Sequence, residues 1–452
     1  MAKRYEINMC SGNLLKNIIL FTIPLALTGM LQLAFNMADI VVVGRFAGKE
    51  SLAAVGSTTS LINLIINLFL GMSSGTTIVI SRYFGAKNFD GVSKAVHTAV
   101  ALSVFGGIVL GIFGFIFSKT FLTLMDSPSD VINKAALYMK IYFIGLPATL
   151  LYNYESAILR AVGNTKKPLF FLSIAGVVNV VLNLIFVIIF HLDVAGVAIA
   201  TAISQVVSAV LCTIYLVRSD EASYQLAIKE VRFWKKQLLE IMKLGIPAGI
   251  QGSMFSLSNV LIQSSVNSLG SIVVAGNSAA SNIEGFAYTA MNAVHQATIT
   301  SVSQNYGAKN EKRIKKSFLI CLGLVSVIGI ELGGGIYLLR DFFIGIYSSD
   351  AEVIHYGGMK LRYVCLPYVM CGIMEVCVGL VRGLSYSIMP VIVTLVGTCI
   401  LRIAWICTVF PAIGTFESIM ISYPISWGIT TVAHYISYLC VKKKAFKRMH
   451  EQ

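Results

Sequence analysis

The sequence is poor in charge and lacks the short motifs of many soluble enzymes. Only 12% of its 452 residues are charged, whereas 56% are apolar, which excludes an ordinary soluble domain. Its nine cysteines include no Cys-x-x-Cys pair, and neither a His-Glu-x-x-His motif nor a Gly-rich phosphate loop occurs. These absences argue against a disulfide framework, a metalloenzyme centre and a nucleotide-driven pump, and we expect no cofactor.

Long apolar runs are what the sequence has in abundance. Twelve of them are long enough for a helix of roughly 20 residues to cross the hydrocarbon of a bilayer. They cover residues 16–43, 52–80, 95–117, 135–158, 168–190, 195–217, 241–268, 272–302, 317–338, 355–380, 390–410 and 418–440. The sequence therefore predicts an all-α integral membrane protein with twelve transmembrane helices. The first run is long and lacks a small-residue cleavage site, so we expect it to remain as an anchor.

The net charge of +14 is explained by membrane topology. If both termini are cytoplasmic, most of the 35 Lys and Arg residues fall in segments on the cytoplasmic side, as the positive-inside rule requires. We therefore expect both termini in the cytoplasm, and we expect no nucleic-acid partner.

An internal repeat divides the chain into two halves. The segment Ser81-Arg-Tyr-Phe-Gly-Ala-Lys-Asn88 recurs 222 residues later as Ser303-Gln-Asn-Tyr-Gly-Ala-Lys-Asn310. Other landmarks keep nearly this offset, among them Pro24 and Pro247, which are 223 residues apart. Each half holds six spans, an even number, so both halves have the same orientation in the membrane. We expect two six-helix lobes related by a pseudo-two-fold axis along the membrane normal.

The predicted domains follow from this repeat. Residues 1–217 form the N-terminal lobe, and residues 241–452 form the C-terminal lobe with a basic cytoplasmic tail. Residues 218–240 between them alternate apolar and basic side chains, which favours an amphipathic helix on the cytoplasmic membrane surface. A plain solvated linker is the alternative.

One carboxylate, Asp39, lies deep in the first span. A charged side chain there costs about 2.5 to 3.5 kcal/mol, so such residues are usually paired, proton-carrying or in contact with water. Asn179 and Asn183 share one face of the fifth span, and Thr201 lies in the sixth. A carboxylate with neutral oxygens suits a proton relay or a Na⁺ site, although amides and hydroxyls also serve as bonds between helices. Pro24, in the same span as Asp39, indicates a hinge or a static kink.

The second half has no acid at the position of Asp39, because the 223-residue offset places Ile262 there. It carries Glu284, Glu375 and Arg402 instead. Glu284 and His295 are eleven residues apart and should share a helix face. We expect Arg402 to neutralise Glu284 or Glu375.

Several further polar residues of the spans are predicted to line a substrate cavity, although each could equally bond a neighbouring helix. They are Gln32, Asn36, Asn153, Gln251, Asn259, Gln263 and Glu284.

Taken in order, these features resemble the multidrug and toxic compound extrusion (MATE) transporters. The resemblance is carried by Pro24, Asp39-Ile-Val-Val-Val-Gly44, the two Gly-Ala-Lys-Asn copies and Leu159-Arg-Ala-Val-Gly163, and it extends over about residues 14–440. The chain is most similar to the DinF-like bacterial branch, whose cation or proton site would fall on Asp39, Asn179, Asn183 and Thr201. Members with this site often have a carboxylate where this chain has Asn183. The NorM-like branch, with an acid near Phe255, is disfavoured.

The resemblance implies a secondary active multidrug exporter. Such a protein exchanges organic, often cationic, compounds for H⁺ or Na⁺ by alternating access of its two lobes. It implies a bacterial cytoplasmic membrane as the location, with lipid and small organic molecules as partners, and we expect a monomer. A flippase for lipid-linked oligosaccharides is the alternative, but its cleft should hold several basic residues, and Arg402 is the only one expected deep in a span. An intramembrane enzyme is a third possibility, with Glu284 and His295 as its one suggestive pair.

Overall fold

The computed structural model describes residues 6–124, 131–219 and 223–451, and those residues form helices and short connections without any β-strand. This is the architecture expected in lipid, where a helix satisfies its own backbone hydrogen bonds. The helices of the first half are α1 (Leu14–Val42), α2 (Lys49–Gly85), α3 (Phe89–Leu124), α4 (Ile132–Ala161), α5 (Lys166–Leu184) and α6 (Asp193–Val217). The helices of the second half are α7 (Lys235–Asn267), α8 (Ser271–Gly307), α9 (Glu311–Leu338), α10 (Arg340–Gly345), α11 (Ala351–Cys365), α12 (Tyr368–Gly383), α13 (Ile388–Thr394), α14 (Leu401–Ile413), α15 (Phe416–Met420) and α16 (Ser422–Glu451).

Three of these helices continue directly into a π-helical turn. The turns are Val43–Ala47 after α1, Ile185–Ile189 after α5, and Leu395–Ile400 between α13 and α14. With its turn, each of these stretches reads as one long apolar helix.

The helices account for the twelve predicted spans. Eight helical segments in the described residues are long and apolar enough to cross a membrane, and α11 with α12 forms a ninth span that is bent by 45°. The helices α7, α8 and α16, with 33, 37 and 30 residues, are long enough for the other three, although they are more polar. The prediction of an all-α membrane protein is confirmed.

The chain folds as two compact units, which we call unit 1 and unit 2. Unit 1 consists of Leu27–Gly249 with the described residues up to Ile7, and unit 2 consists of Asn8–Ala26 with Ile250–Gln452. The first part of α1 thus belongs to unit 2, and the first part of α7 belongs to unit 1. Each crossing of the unit boundary comes two residues after a proline, Pro24 in α1 and Pro247 in α7.

The first part of α7 packs against α2 through glycines spaced four residues apart in each helix. A Cβ atom added to Gly71 would lie 2.1 Å from the backbone nitrogen of Gly249, and one added to Gly75 would lie 2.7 Å from that of Gly245. Small residues at this spacing allow helix backbones to approach closely in membranes. This close approach is why α7 begins within unit 1 although its sequence opens the second half.

The linker differs from the amphipathic helix expected for residues 218–240. Residues 220–222 lie outside the described residues, and the part from 223 to 234 contains only one 3₁₀ turn, Ile228–Glu230, before α7 begins at Lys235. The reason is that α3 supplies the hydrogen bonds that a helix would otherwise make. The backbone nitrogen of Ala227 donates to His97 Nε2 at 3.0 Å, and that of Trp234 donates to Thr98 Oγ1 at 3.2 Å.

The linker is also anchored by buried side chains. Tyr224 and Leu226 are buried in unit 1, and the Tyr224 hydroxyl donates a hydrogen bond to the Glu6 carboxylate. Burial and this carboxylate raise the pKa of Tyr224 well above its usual value, so the phenol stays protonated as the donor. The linker is therefore a fixed part of unit 1 rather than a surface helix, whereas the predicted domain boundaries remain predictions.

Candidate functional site

A polar cluster in unit 1 brings together the four residues predicted to bind the coupling ion. The Asn183 amide donates a hydrogen bond to Asp39 Oδ1, and the Thr201 hydroxyl donates to Asp39 Oδ2 at 3.5 Å. Asn179 joins them, since its amide nitrogen lies 3.4 Å from Thr201 Oγ1 and its Oδ1 accepts from Asn183 Nδ2 at 3.3 Å. The i, i+4 spacing on α5 explains this geometry, because it presents both amides on one face.

The cluster is an oxygen-rich site without a positively charged partner. Among the described residues, the hydrogen-bond donors to Asp39 are a neutral amide and a neutral hydroxyl. Asn183 is fully buried, and its Oδ1 atom has no hydrogen-bond partner in the described part of the chain. A carboxylate, amide oxygens and a hydroxyl form a donor set that fits Na⁺ or a proton. The site helices α1 and α5 both pass into π-helical turns here, a feature that is frequent at functional sites.

The acids of unit 2 are arranged differently, because each has a basic partner. Glu284 Oε1 lies 3.3 Å from Lys360 Nζ, and the Lys360 ammonium also donates to Ser281 Oγ. His295 Nδ1 lies 3.3 Å from a carboxylate oxygen of Glu375. The expectation that Glu284 would pair with His295 is therefore wrong. The partner of His295 comes from another helix, α12, which spacing along α8 could not reveal.

Arg402 does not neutralise either acid. Its Nε donates to Ser426 Oγ at 2.8 Å, and its guanidinium carbon lies 4.1 Å from the centroid of the Tyr423 ring and 5.6 Å from that of Trp427. Among the described residues, no acid forms an ion pair with Arg402. Lys360 takes the place at Glu284 that we expected Arg402 to fill.

Known proteins place the chain in a family. The sequence model of the MatE family matches residues 24–185 and again residues 247–407, once in each half of the repeat. The chain belongs to the MatE family. The predicted resemblance to MATE transporters is thereby confirmed, and the double match agrees with the internal repeat.

The relatives of this MatE chain span its full length. It is 28% identical over 441 residues to the probable multidrug resistance protein YpnP of Bacillus subtilis, with 98% of each chain covered. It is 21% identical over 369 residues to the multidrug export protein MepA of Staphylococcus aureus, with 80% of each covered. A crystal structure of MATE in complex with MaL6 superposes with a TM-score of 0.90 at 20% identity over the whole of both chains. That likeness establishes a MATE fold.

The residues predicted to line a substrate cavity of this MatE protein lie in both units. In unit 1, Gln32 and Asn36 are exposed, whereas the Asn153 amide donates to Thr149 O of its own helix at 2.8 Å. In unit 2, Asn259 is exposed and Glu284 is held by Lys360.

The other two amides of this set, Gln251 and Gln263, make hydrogen bonds within unit 2. Gln251 Oε1 accepts a hydrogen bond from Arg382 Nη2 at 2.7 Å. Gln263 bonds Asn277 at 3.0 Å and Asn267 at 2.8 Å. Their part in substrate binding stays a prediction.

Sequence reasoning missed three buried charged residues of the spans. Lys360 and Arg382 are both buried in unit 2, so the expectation that Arg402 is the only basic residue deep in a span is wrong. Glu155 is buried in unit 1, where Thr213 Oγ1 donates to its Oε1 at 2.6 Å. All three stand within or at the end of apolar runs, so the signal was present as charge inside a span.

Proposed function

We propose that the protein is a secondary active exporter that expels organic compounds across a bacterial cytoplasmic membrane in exchange for H⁺ or Na⁺. The observation that carries the proposal is the Asp39 cluster, a carboxylate within membrane helices that holds only neutral hydrogen-bond donors. The names of the relatives, which include multidrug resistance and export proteins, supply the substrate class. The protein acts as a monomer with both termini in the cytoplasm and needs no cofactor other than the coupling ion.

Binding of an ion changes the hydrogen bonds of Asp39. The free carboxylate accepts from Asn183 and Thr201, whereas a proton or a Na⁺ ion occupies one of its oxygens and competes with those donors. The helix that carries Asp39 passes from unit 2 to unit 1 two residues after Pro24, where a backbone hydrogen bond is missing. Pro24 is therefore the hinge through which occupancy of the site biases alternating access.

The driving force is sufficient for accumulation against a gradient. Each elementary charge that crosses the membrane contributes about 2.3 kcal/mol per 100 mV of membrane potential. A chemical gradient of the coupling ion adds to this, so one ion per cycle supports export of one cationic molecule against a more than tenfold concentration ratio.

Transport by purified protein in vesicles tests the proposal. Proteoliposomes receive an H⁺ gradient and a Na⁺ gradient separately, and uptake of the cationic dye ethidium is compared with protein-free vesicles. We expect uptake with one of the two gradients and its collapse when that gradient is dissipated. Absence of uptake with either gradient contradicts the proposal. Translocation of a lipid-linked sugar by the same vesicles would support the flippase instead.

A further inference from the structure

Arg402 is a buried cation without an acid to balance it. Only 2% of the residue is exposed, and its Nη2 atom has no hydrogen-bond partner in the described part of the chain. It lies near the middle of the span Ile388–Ile413, two residues after the π-helical turn Leu395–Ile400. An intramembrane ionisable residue is costly and usually functional, and a guanidinium nitrogen without a partner calls for an acceptor.

The surroundings of Arg402 fix the guanidinium without neutralising it. Ser426 accepts from Nε, and the rings of Tyr423 and Trp427 contact its face. Trp427 also packs against Tyr368 at 5.6 Å between ring centroids, and the Tyr368 hydroxyl donates to the backbone oxygen of Glu284 at 3.4 Å. This leads directly to the Glu284–Lys360 pair, so the connected cluster holds two basic groups for one acid.

The repeat shows that this cluster stands where the ion site of unit 1 stands. An offset of 222 residues takes Thr201 to Tyr423, and an offset of 223 takes Asn179 to Arg402. The contact between Arg402 and the Tyr423 ring is therefore the counterpart of the hydrogen bond between Asn179 and Thr201. At the same offset Ile262 replaces Asp39, so the second copy has lost the carboxylate and gained a guanidinium.

We propose that Arg402, with Tyr423 and Trp427, forms an anion-recognising subsite in unit 2 that binds the carboxylate of zwitterionic organic substrates. The guanidinium offers a planar fork that matches a carboxylate, and the rings suit the aromatic body of such a compound. Tyr423 is only half-buried and lies over the guanidinium, so a rotation of its ring opens the path to Nη2. This proposal rests on the proposed export function and narrows its substrate class.

Two dyes that differ only in the anionic group provide the test. Tetramethylrhodamine carries a free carboxylate beside its cationic ring system, and tetramethylrhodamine methyl ester is the same molecule with that charge removed. Binding of each dye to purified protein is measured by fluorescence anisotropy for the wild type, Arg402→Met and Arg402→Lys. Arg362→Met is the matched control, because Arg362 is an exposed arginine of the same unit.

We expect Arg402→Met to weaken binding of the acid by about tenfold or more, the effect of one lost charge-assisted hydrogen bond, and to change binding of the ester much less. Arg402→Lys keeps the charge but not the fork, so its loss for the acid should be intermediate. Arg362→Met should leave the ratio of the two affinities unchanged. Equal losses for both dyes, or none, would overturn the proposal.

The result stays decisive if the neutral variant does not fold. Arg402→Lys is then compared with the wild type alone, and a selective loss for the acid supports the subsite while an equal loss for both dyes rejects it. Failure of the wild type to bind either dye and to export ethidium would refute the export function itself. Export of ethidium with no selective effect at Arg402 would refute only the subsite.

Discussion

Two clusters at matching positions of the repeat have opposite polarity. In unit 1, Asp39 receives hydrogen bonds from a neutral amide and a neutral hydroxyl. In unit 2, Arg402 is surrounded by a serine and two aromatic rings, and the nearby acid Glu284 already has Lys360. The difference teaches that gene-level duplication preserved the helices and not the chemistry. An acid with neutral partners is available to a mobile cation, whereas an acid paired with a buried lysine is not.

The comparison also separates exchange from recognition. A site that binds and releases an ion in each cycle needs partners that tolerate both states, and neutral oxygens do so. A paired charge in a low-dielectric setting is costly to break, because separation leaves an uncompensated charge. We therefore assign ion exchange to unit 1 and substrate recognition to the charges of unit 2.

The largest expected effect is that of removing the carboxylate of unit 1. Asp39→Asn keeps the shape of the side chain but cannot release a proton or attract Na⁺, so gradient-driven ethidium uptake should fall to the level of protein-free vesicles. Asp90→Asn is the control, since Asp90 is an exposed acid of the same unit paired only with Lys94. Full transport by Asp39→Asn would refute the coupling role.

The next effect concerns the built-in cation of unit 2. Lys360→Met leaves Glu284 buried without its partner, and breaking a buried ion pair costs about 3 to 5 kcal/mol of the free energy of unfolding. The Lys360 and Glu284 side chains are 5% and 19% exposed, whereas those of the Lys134–Glu50 pair are 35% and 63% exposed. Lys134→Met should therefore cost only about 0 to 1 kcal/mol.

Thermal unfolding of the purified variants checks this prediction by their Tm values. Addition of Glu284→Gln to Lys360→Met should recover part of the loss, because the uncompensated charge is then gone. An unchanged Tm for the single variant would show that Lys360 is not needed to balance Glu284.

A smaller effect is expected at a neutral partner of Asp39. Asn183→Ala removes the hydrogen bond to Oδ1, and a hydrogen bond to a charged group contributes about 1.5 to 3 kcal/mol. The initial rate of gradient-driven uptake should fall by about tenfold or more. Asn153→Ala removes an amide that bonds only its own helix in the described structure, so its rate should change little. Equal rates for the two variants would place Asn183 outside the ion site.

The smallest effect extends the comparison from charge to packing. Gly71→Ala in unit 1 places a Cβ atom 2.1 Å from the Gly249 nitrogen, so α2 and the first part of α7 must separate. We expect a loss of about 1 to 3 kcal/mol in the free energy of unfolding. Gly334→Ala in α9 of unit 2 meets no atom within 4 Å and should be neutral or stabilising. Matching Tm values for both variants would contradict the tight crossing of the two helices.

The spans and the ion cluster were predictable because each leaves a periodic signal. Twelve apolar runs specify the helices, and the i, i+4 spacing of Asn179 and Asn183 specifies a shared face that α1 and α6 can reach. The linker was not predictable, since its alternation of apolar and basic residues suits a surface helix equally well. Its real partners, His97 and Thr98, stand on α3, more than a hundred residues away in the sequence.

By itself, the sequence determined that this is an all-α membrane protein built from a doubled six-span frame, with one lone acid in its first half. Local hydrophobicity and the repeat carry that information, because each is a property of neighbouring residues or of matching segments. Only the tertiary structure decided the partners of the charges in unit 2. Lys360 pairs with Glu284 and Glu375 pairs with His295 because helices distant in the chain pack side by side. No spacing along one helix could show which charge stands across from it, and this is why Arg402 emerged as the unpaired one.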